Sequence, residues 1–256
     1  MFLICPLTVI PLRKEASDRS EMVSQILFGE IAELIELKDS WLKVKLSYDG
    51  YIGWVDKKQM LEISTKEFEQ LQSQPSFASL DLVHSLHLED RQTMPLVIGS
   101  TLPFLHNAEI RFSSFHSRYE GKSVQTDSVI RERWMEIALM YLNAPYLWGG
   151  RSPFGIDCSG FTQVVMKLCG IKLLRDAAQQ ATQGTTINIL EESRPGDLAF
   201  FDNSEGQIVH VGFILANQQI IHASGKVRID KLDHQGIYNT DLKKYSHNLR
   251  LVKRFF

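Results

Sequence analysis

Cys158, His210 and His222 are the side chains of this 256-residue sequence whose types and spacing could do chemistry together. Cys158 closes a glycine-rich run, Tyr146-Leu-Trp-Gly-Gly-Arg-Ser-Pro-Phe-Gly-Ile-Asp-Cys158. Behind it Phe161, Val164, Val165, Leu168 and Cys169 recur at the spacing of one helix face. That spacing predicts a half-buried helix with Cys158 in its first turn and Gly170 as its C-cap. Unpaired N–H groups and the positive end of the helix dipole favour an anion there, so a lowered thiol pKa and a nucleophilic sulfur are expected. The plainer reading is a buried structural cysteine. Asp157, Ser159 and Gly160 beside it argue against an apolar pocket.

A thiol of this kind needs a base, and the base needs a partner that orients it. His210 lies in Ile208-Val-His-Val-Gly-Phe-Ile214, where alternation puts His210, Gly212 and Ile214 on one strand face. His222 lies in the next apolar run, Gln219-Ile-Ile-His-Ala-Ser-Gly225, beyond a turn at Asn217-Gln218. A hairpin brings both imidazoles onto one face, and the Cys158 helix is expected to pack on that face. His210 then takes the thiol proton and His222 holds His210 in its tautomer. A zinc site made by Cys158, His210 and His222 is the competing reading, but no further ligand motif accompanies them. His84-x-x-His87 also has a ligand-like spacing, with no further ligands near it; a surface pair is the simpler expectation.

The elements that must position these residues change character along the chain. Residues 1–63 read as short strands: Phe2–Leu12, Met22–Phe28, Ile31–Leu37, Trp41–Leu46 and Tyr51–Val55. Asp49-Gly50 signals a two-residue hairpin. Trp41, Val44, Leu46, Ile52, Trp54 and Val55 are the expected core of a small closed all-β barrel. Residues 64–125 read as a helix capped by Thr65, then strands over 94–104 and 108–119. They form either an incomplete second barrel or an insertion. Residues 126–256 read as helices first, one capped by Ser128 and one by Asp176, then five strands from Leu198 on. That order predicts an α+β domain with a mostly antiparallel sheet.

The motifs around Cys158 resemble those of a known family. Pro145-Tyr146-x-Trp148-Gly149-Gly150 followed by Asp157-Cys158-Ser159-Gly160-Phe161 looks like the signature of NlpC-type cysteine peptidases. So do Arg194-Pro-Gly-Asp197-Leu-x-Phe-Phe201, His210-Val-Gly212 and Ile221-His222-Ala223-Ser224. The resemblance covers roughly residues 128–256. It implies a papain-like α+β fold, cleavage of bacterial cell-wall peptides without a cofactor, and Cys158, His210 and His222 as the catalytic residues. Ser20-Glu21, Gly29-Glu30 and Asp49-Gly-Tyr-Ile-Gly-Trp-Val55 are similar to bacterial SH3-like domains. Both domains together resemble the γ-D-glutamyl-L-diamino acid endopeptidases, also called dipeptidyl-peptidase VI. That group cuts murein peptides carrying a free N-terminal L-Ala. The resemblance implies substrate-binding roles for Tyr146, Asp157 and Ser159, and for Arg175-Asp176, whose carboxylate would hold the substrate ammonium. From the barrel it implies Glu21, or alternatively Glu30, and Tyr51.

Composition sets the remaining expectations. The formal net charge is −2, which offers no nucleic-acid footprint. No apolar run is long enough to span a membrane. Three cysteines form no even disulfide framework, and Cys158 and Cys169 would lie roughly 16 Å apart along a helix. The first residues show no basic stretch and no small-residue cleavage site, so a reducing, cytoplasmic setting is expected. The rival functions are an acyltransferase or lipid thioesterase on the same fold, and an inactive wall-binding module.

Overall fold

The computed structural model describes the backbone of residues 1–256 and every side chain except that of Asp90. One unit comprises Met1–Val129 and Trp148–Pro153, the other Ile130–Leu147 and Phe154–Phe256.

The first unit opens with strands β1 (Phe2–Ile4), β2 (Val9–Arg13), β3 (Met22–Leu27), β4 (Ile31–Lys38), β5 (Trp41–Leu46), β6 (Ile52–Asp56) and β7 (Leu61–Ile63). They form one sheet in the order β3-β2-β6-β5-β4-β1-β7, with antiparallel neighbours. The expected strand Phe2–Leu12 is two strands, broken around Pro6, which has no N–H to give to a ladder. The sheet encloses Leu12, Ile26, Leu42, Val44, Leu46 and Val55. Trp41 and Trp54 are only half-buried and Ile52 is 49% exposed. The predicted core mixed both faces of β5 and β6, which a period of two forbids. The β5–β6 turn spans four residues rather than two: the Leu46 N–H donates to the Tyr51 carbonyl, and Gly50 adopts φ 73°.

Residues 64–125 continue this unit with α1 (Thr65–Ser73), β8 (Phe77–Ser79), β9 (Val83–Leu88), β10 (Thr93–Val97), β11 (Glu109–Phe112), β12 (Phe115–Arg118) and β13 (Ser123–Gln125). Ser64, not Thr65, caps α1; its Oγ accepts the Glu67 N–H, and the Glu67 carboxylate accepts the Ser64 N–H at 2.9 Å. The larger sheet runs β10-β9-β12-β11, and β8 pairs with β13. The two predicted strands are shorter because a turn follows Val97 and another separates Phe112 from Phe115. Ile4, Phe28 and Ile63 share one apolar cluster with Phe68, Leu86, Leu96 and Ile110. His84 and His87 alternate to opposite faces of β9, so they form no ligand pair. The segment Trp148–Pro153, with β14 (Arg151–Ser152), belongs to this unit too.

The second unit carries α2 (Trp134–Met140), β15 (Gly155–Ile156), α3 (Cys158–Leu168) and α4 (Ala177–Gln180). Strands β16 (Thr185–Ile187), β17 (Leu198–Asp202), β18 (Ile208–Leu215), β19 (Gln219–Ser224), β20 (Lys226–Leu232), β21 (Gly236–Asn239) and β22 (Lys244–Arg254) follow. Ser128 does not cap α2, which starts at Trp134 after a 3₁₀ turn over Arg131–Arg133. Helix α3 ends as the spacing predicts, with Gly170 at φ 80°. The sheet runs β16-β22-β17-β18-β19-β20-β21, and β22 also pairs with β21, closing it on itself. Its pairings are antiparallel. Phe213 takes α2 and α3 on one face, stacked on Trp134 and edge-on to Phe161. Ala199, Phe201, Ile214, Ile220, Leu232 and Val252 fill the other face.

Candidate active site

Asp157 is the N-cap of α3 and accepts the Gly160 N–H at 2.6 Å. Such a cap typically contributes about 1 kcal/mol. Here it also pairs with Arg175, whose Nη1 and Nη2 donate to the two carboxylate oxygens at 3.0 and 2.6 Å. The Ser159 hydroxyl accepts from Arg175 at 2.9 Å. Arg175 is 1% exposed, so the fork neutralises a buried charge beside the thiol. Gln180 donates to the Ser159 carbonyl and its Oε1 accepts from Thr162, tying α4 to α3.

Burial pushes the Cys158 thiol up to about 12, and the Asp157 charge adds to that. The main chain of Val211 and Ser159 and the Arg175 charge pull the other way. The lowered pKa expected from the helix terminus is therefore overturned, because desolvation of the thiolate outweighs it. Tyr146, half-buried, is also pushed up to about 12, by burial first and then by Cys158 and Asp157.

Helix α3 packs on β18 through Phe161, edge-on to Phe213. The sulfur meets β18 at the main chain of Val211, the residue after His210. The β18–β19 ladder stops at the Gly212↔His222 pair, which sets His210 and His222 diagonally on one face. His210 Nε2 and His222 Nδ1 are 2.8 Å apart, with the rings nearly perpendicular. A Cβ on Gly212 would stand 2.7 Å from the His222 Cβ, so the glycine makes room for this ring. His222 Nε2 lies 3.1 Å from Asp230 Oδ2. Arg228 pairs with Asp230 at 2.7 Å and with Asp241 at 2.8 Å. His247 of β22 stacks on His210 at 4.1 Å.

Burial holds the His210 pKa well below 6.5, helped by His222 and His247. His222 is lowered by burial, against the pull of Asp230. His247 falls to about 4, again chiefly by burial. Burial thus favours the neutral thiol and the neutral imidazoles at rest.

Ring nitrogens of His210, His222 and His247 lie within 4.8 Å of one another, so among the described residues this trio, not Cys158 with two histidines, is the set that could hold a metal. As placed, the contact between His210 and His222 is a hydrogen bond, and the stacked rings of His210 and His247 share no nearby point in both planes. The arrangement suits a proton relay better than a metal centre.

The second unit thus brings together Tyr146, Asp157, Cys158, Ser159 and Arg175 at the head of α3, and His210 and His222 on the sheet. Asp176 begins α4, where its N–H donates to Gln179 Oε1 at 3.1 Å. In the first unit Glu21 accepts from Trp148 Nε1 at 2.8 Å. Tyr51 packs half-buried on the barrel core. Glu30 is removed as a substrate contact: it is buried and forked by Arg151 at 2.7 and 2.9 Å. Sequence reasoning missed Asp230, Arg228 and His247. The signal was the alternation in Lys226-Val-Arg-Ile-Asp-Lys-Leu232, where Ile229 faces outward and Asp230 inward.

A cysteine at a helix head, followed in the chain by two bonded histidines on an antiparallel sheet, defines an α+β hydrolase of papain-like layout. The NlpC/P60 family pattern matches residues 143–245, and that of the bacterial dipeptidyl-peptidase SH3 domain matches residues 12–60. The chain belongs to the NlpC/P60 peptidase family. It is 30% identical over 216 residues to the gamma-D-glutamyl-L-lysine dipeptidyl-peptidase of Bacillus subtilis, covering 78% of this chain and 71% of that protein. Dipeptidyl-peptidase 6 of Lysinibacillus sphaericus is 29% identical over 259 residues, covering 90% and 92%. A crystal structure of an NlpC/P60 family protein from Bacillus cereus shares the fold, with a TM-score of 0.83 over 99% of each chain at 20% identity.

Proposed function

We infer that this protein is a cysteine endopeptidase that hydrolyses the bond between γ-D-Glu and the diamino acid of murein peptides with a free N-terminal L-Ala. The observation that carries the reading is the bonded His210–His222 pair beside Val211, whose main chain meets the Cys158 sulfur. The names of the relatives support the bond that is cut. Cys158 attacks the γ-carbonyl while His210 takes its proton. Backbone N–H groups at the head of α3 hold the oxyanion, with Tyr146, kept protonated by its raised pKa, as a further donor. His210 then protonates the leaving amine, and water releases L-Ala-D-Glu from the acyl-enzyme.

The carboxylate assigned to the substrate ammonium is that of Asp176, which follows Arg175 and also caps α4. A buried ammonium needs such a partner. Recycling of released wall peptides in the cytoplasm is the corresponding physiological role. The test is incubation with L-Ala-γ-D-Glu-diaminopimelate and with its N-acetylated form, followed by mass spectrometry. Cleavage of the free peptide alone is expected. Equal cleavage of both forms rejects the ammonium clamp, and cleavage of neither rejects the specificity.

A further inference from the structure

We propose that Asp230 is a positioning residue of this site, the last link of a directed chain Cys158–His210–His222–Asp230 that fixes both imidazole tautomers. The inference rests on the reading of His210 as the base. It goes beyond that reading by assigning a function to a carboxylate on a different strand.

The argument is one of donor and acceptor counting. Asp230 lies on β20 opposite Ile220, diagonal to His222 and on the same face. Its side chain is fully buried. Burial opposes its charge, but the bonds from His222 and Arg228 hold its pKa below the usual range. An ionised carboxylate only accepts hydrogen bonds. The 3.1 Å contact therefore requires a proton on His222 Nε2. That leaves His222 Nδ1 as a lone pair, and the 2.8 Å contact then requires a proton on His210 Nε2. His210 Nδ1 is left as the one basic nitrogen of that ring, free to take the thiol proton. Without Asp230 the chain has two directions of equal standing, and one of them puts a proton on the atom that must accept one. When sulfur attacks, one proton passes from Sγ to His210 Nδ1. The positive charge formed is shared along the imidazoles and faces the carboxylate, which itself stays ionised.

The charged and titratable groups facing His222 are His210 from β18, His247 from β22, and Arg228 with Asp230 from its own neighbour β20. Asp241 stands beyond Arg228, and the Cys158 thiol lies at Val211. Asp230 and Arg228 act on His222 with opposite signs. This distinguishes positioning from simple support of the strand.

The experiment measures kcat/KM against pH on the murein tripeptide for the intact protein, Asp230→Asn and Arg228→Gln. Asp230→Asn is expected to lower the plateau roughly tenfold or more through kcat, and to move the acid limb to lower pH. Arg228→Gln is expected to move the acid limb to higher pH. Limbs that stay in place in both variants, or move together, overturn the proposal and leave Asp230 as a structural anchor. His210→Ala runs beside them: if it keeps full activity, the reading of the base fails instead. ¹⁵N-histidine NMR of the unmodified protein near pH 7 gives a test that no misfolded variant can spoil. Nε2–H tautomers for both His210 and His222 are expected, and an Nδ1–H tautomer at either overturns the chain.

Discussion

The two seven-stranded sheets of this protein cover different fillings. The sheet of the first unit encloses Leu12, Ile26, Val44, Leu46 and Val55, an interior held by dispersion and the exclusion of water. The sheet of the second unit is apolar at one end of its inner face, around Ile214, Ile220 and Leu232. At the other end the same alternating positions carry His210, His222, Arg228 and Asp230. Burying polar groups costs stability unless each finds a partner. Here His210 bonds His222, His222 bonds Asp230, and Asp230 pairs with Arg228. The difference teaches that one alternation can build an apolar core or a bonded polar array, and that partners along the face decide which.

The comparison breaks most visibly if each interior is truncated once. His210→Ala is expected to lower kcat/KM by about 10²–10⁴, the usual weight of a general base. Leu12→Ala is expected to cost about 2–5 kcal/mol of stability and to leave kcat per folded molecule unchanged. Urea denaturation and single-turnover kinetics on both variants check this. An activity loss in Leu12→Ala as large as that in His210→Ala would end the division of labour.

Two buried arginine forks sharpen the contrast. Arg151 on Glu30 and Arg175 on Asp157 are each 1% exposed and bidentate. Arg151→Leu and Arg175→Leu each strand a buried carboxylate, so both are expected to cost about 3–5 kcal/mol. The chemistry separates them. Arg175 is among the charges that favour the Cys158 thiolate, so its loss raises the thiol pKa further. Alkylation of Cys158 by iodoacetamide at pH 8 is expected to slow in Arg175→Leu and to keep its rate in Arg151→Leu. Equal rates in the two would show that the second fork is only structural.

A smaller change tests how closely the polar end is fitted. Gly212→Ala would place a methyl 2.7 Å from the His222 Cβ and 2.9 Å from Ile220 Cδ1. Overpacking of this kind costs about 1–3 kcal/mol. Because His222 is what must move, a fall in kcat with little change in KM is expected alongside the lowered Tm. A stable, fully active Gly212→Ala would mean that the ring has room to spare.

Much of the catalytic unit was legible because its signals are local. The stripe from Phe161 to Cys169 predicts α3, Gly170 predicts its end, and the parity of His210 and Gly212 holds in β18. What failed depended on tertiary context. Burial of the sulfur reverses the pKa shift expected from the helix terminus. The closed sheet sets His247 of β22 against His210, and no local pattern announces a closed sheet. His247 was illegible for the same reason, some 25 residues past His222, whereas Asp230 was marked only by the alternation around it, where Val and Ile suggest a plain core strand. In the first unit the error was one of parity, since Trp41, Ile52 and Trp54 are large and apolar yet lie on the strand face opposite Val44, Leu46 and Val55, half-buried or exposed.

The gentlest test uses pH alone. His247 has a pKa of about 4 when folded, against 6.5 for an unperturbed histidine. Between these values the unfolded chain binds a proton that the folded chain does not, so stability rises with pH across the window and is lost as pH falls through it. From pH 7 to pH 5 the contribution of this one group is about 2 kcal/mol. His210 and His222 are lowered as well and steepen the same slope. The expected result is a urea midpoint that drops between pH 7 and pH 5, with a smaller drop in His247→Phe, which keeps a ring to stack on His210. Among the described residues the apolar clusters of the first unit contain no histidine, so a buried aromatic there, Phe28 or Tyr119, reports a transition that moves less with pH. A slope unchanged in His247→Phe would show that this imidazole binds protons alike in the folded and the unfolded chain, as a water-exposed ring would.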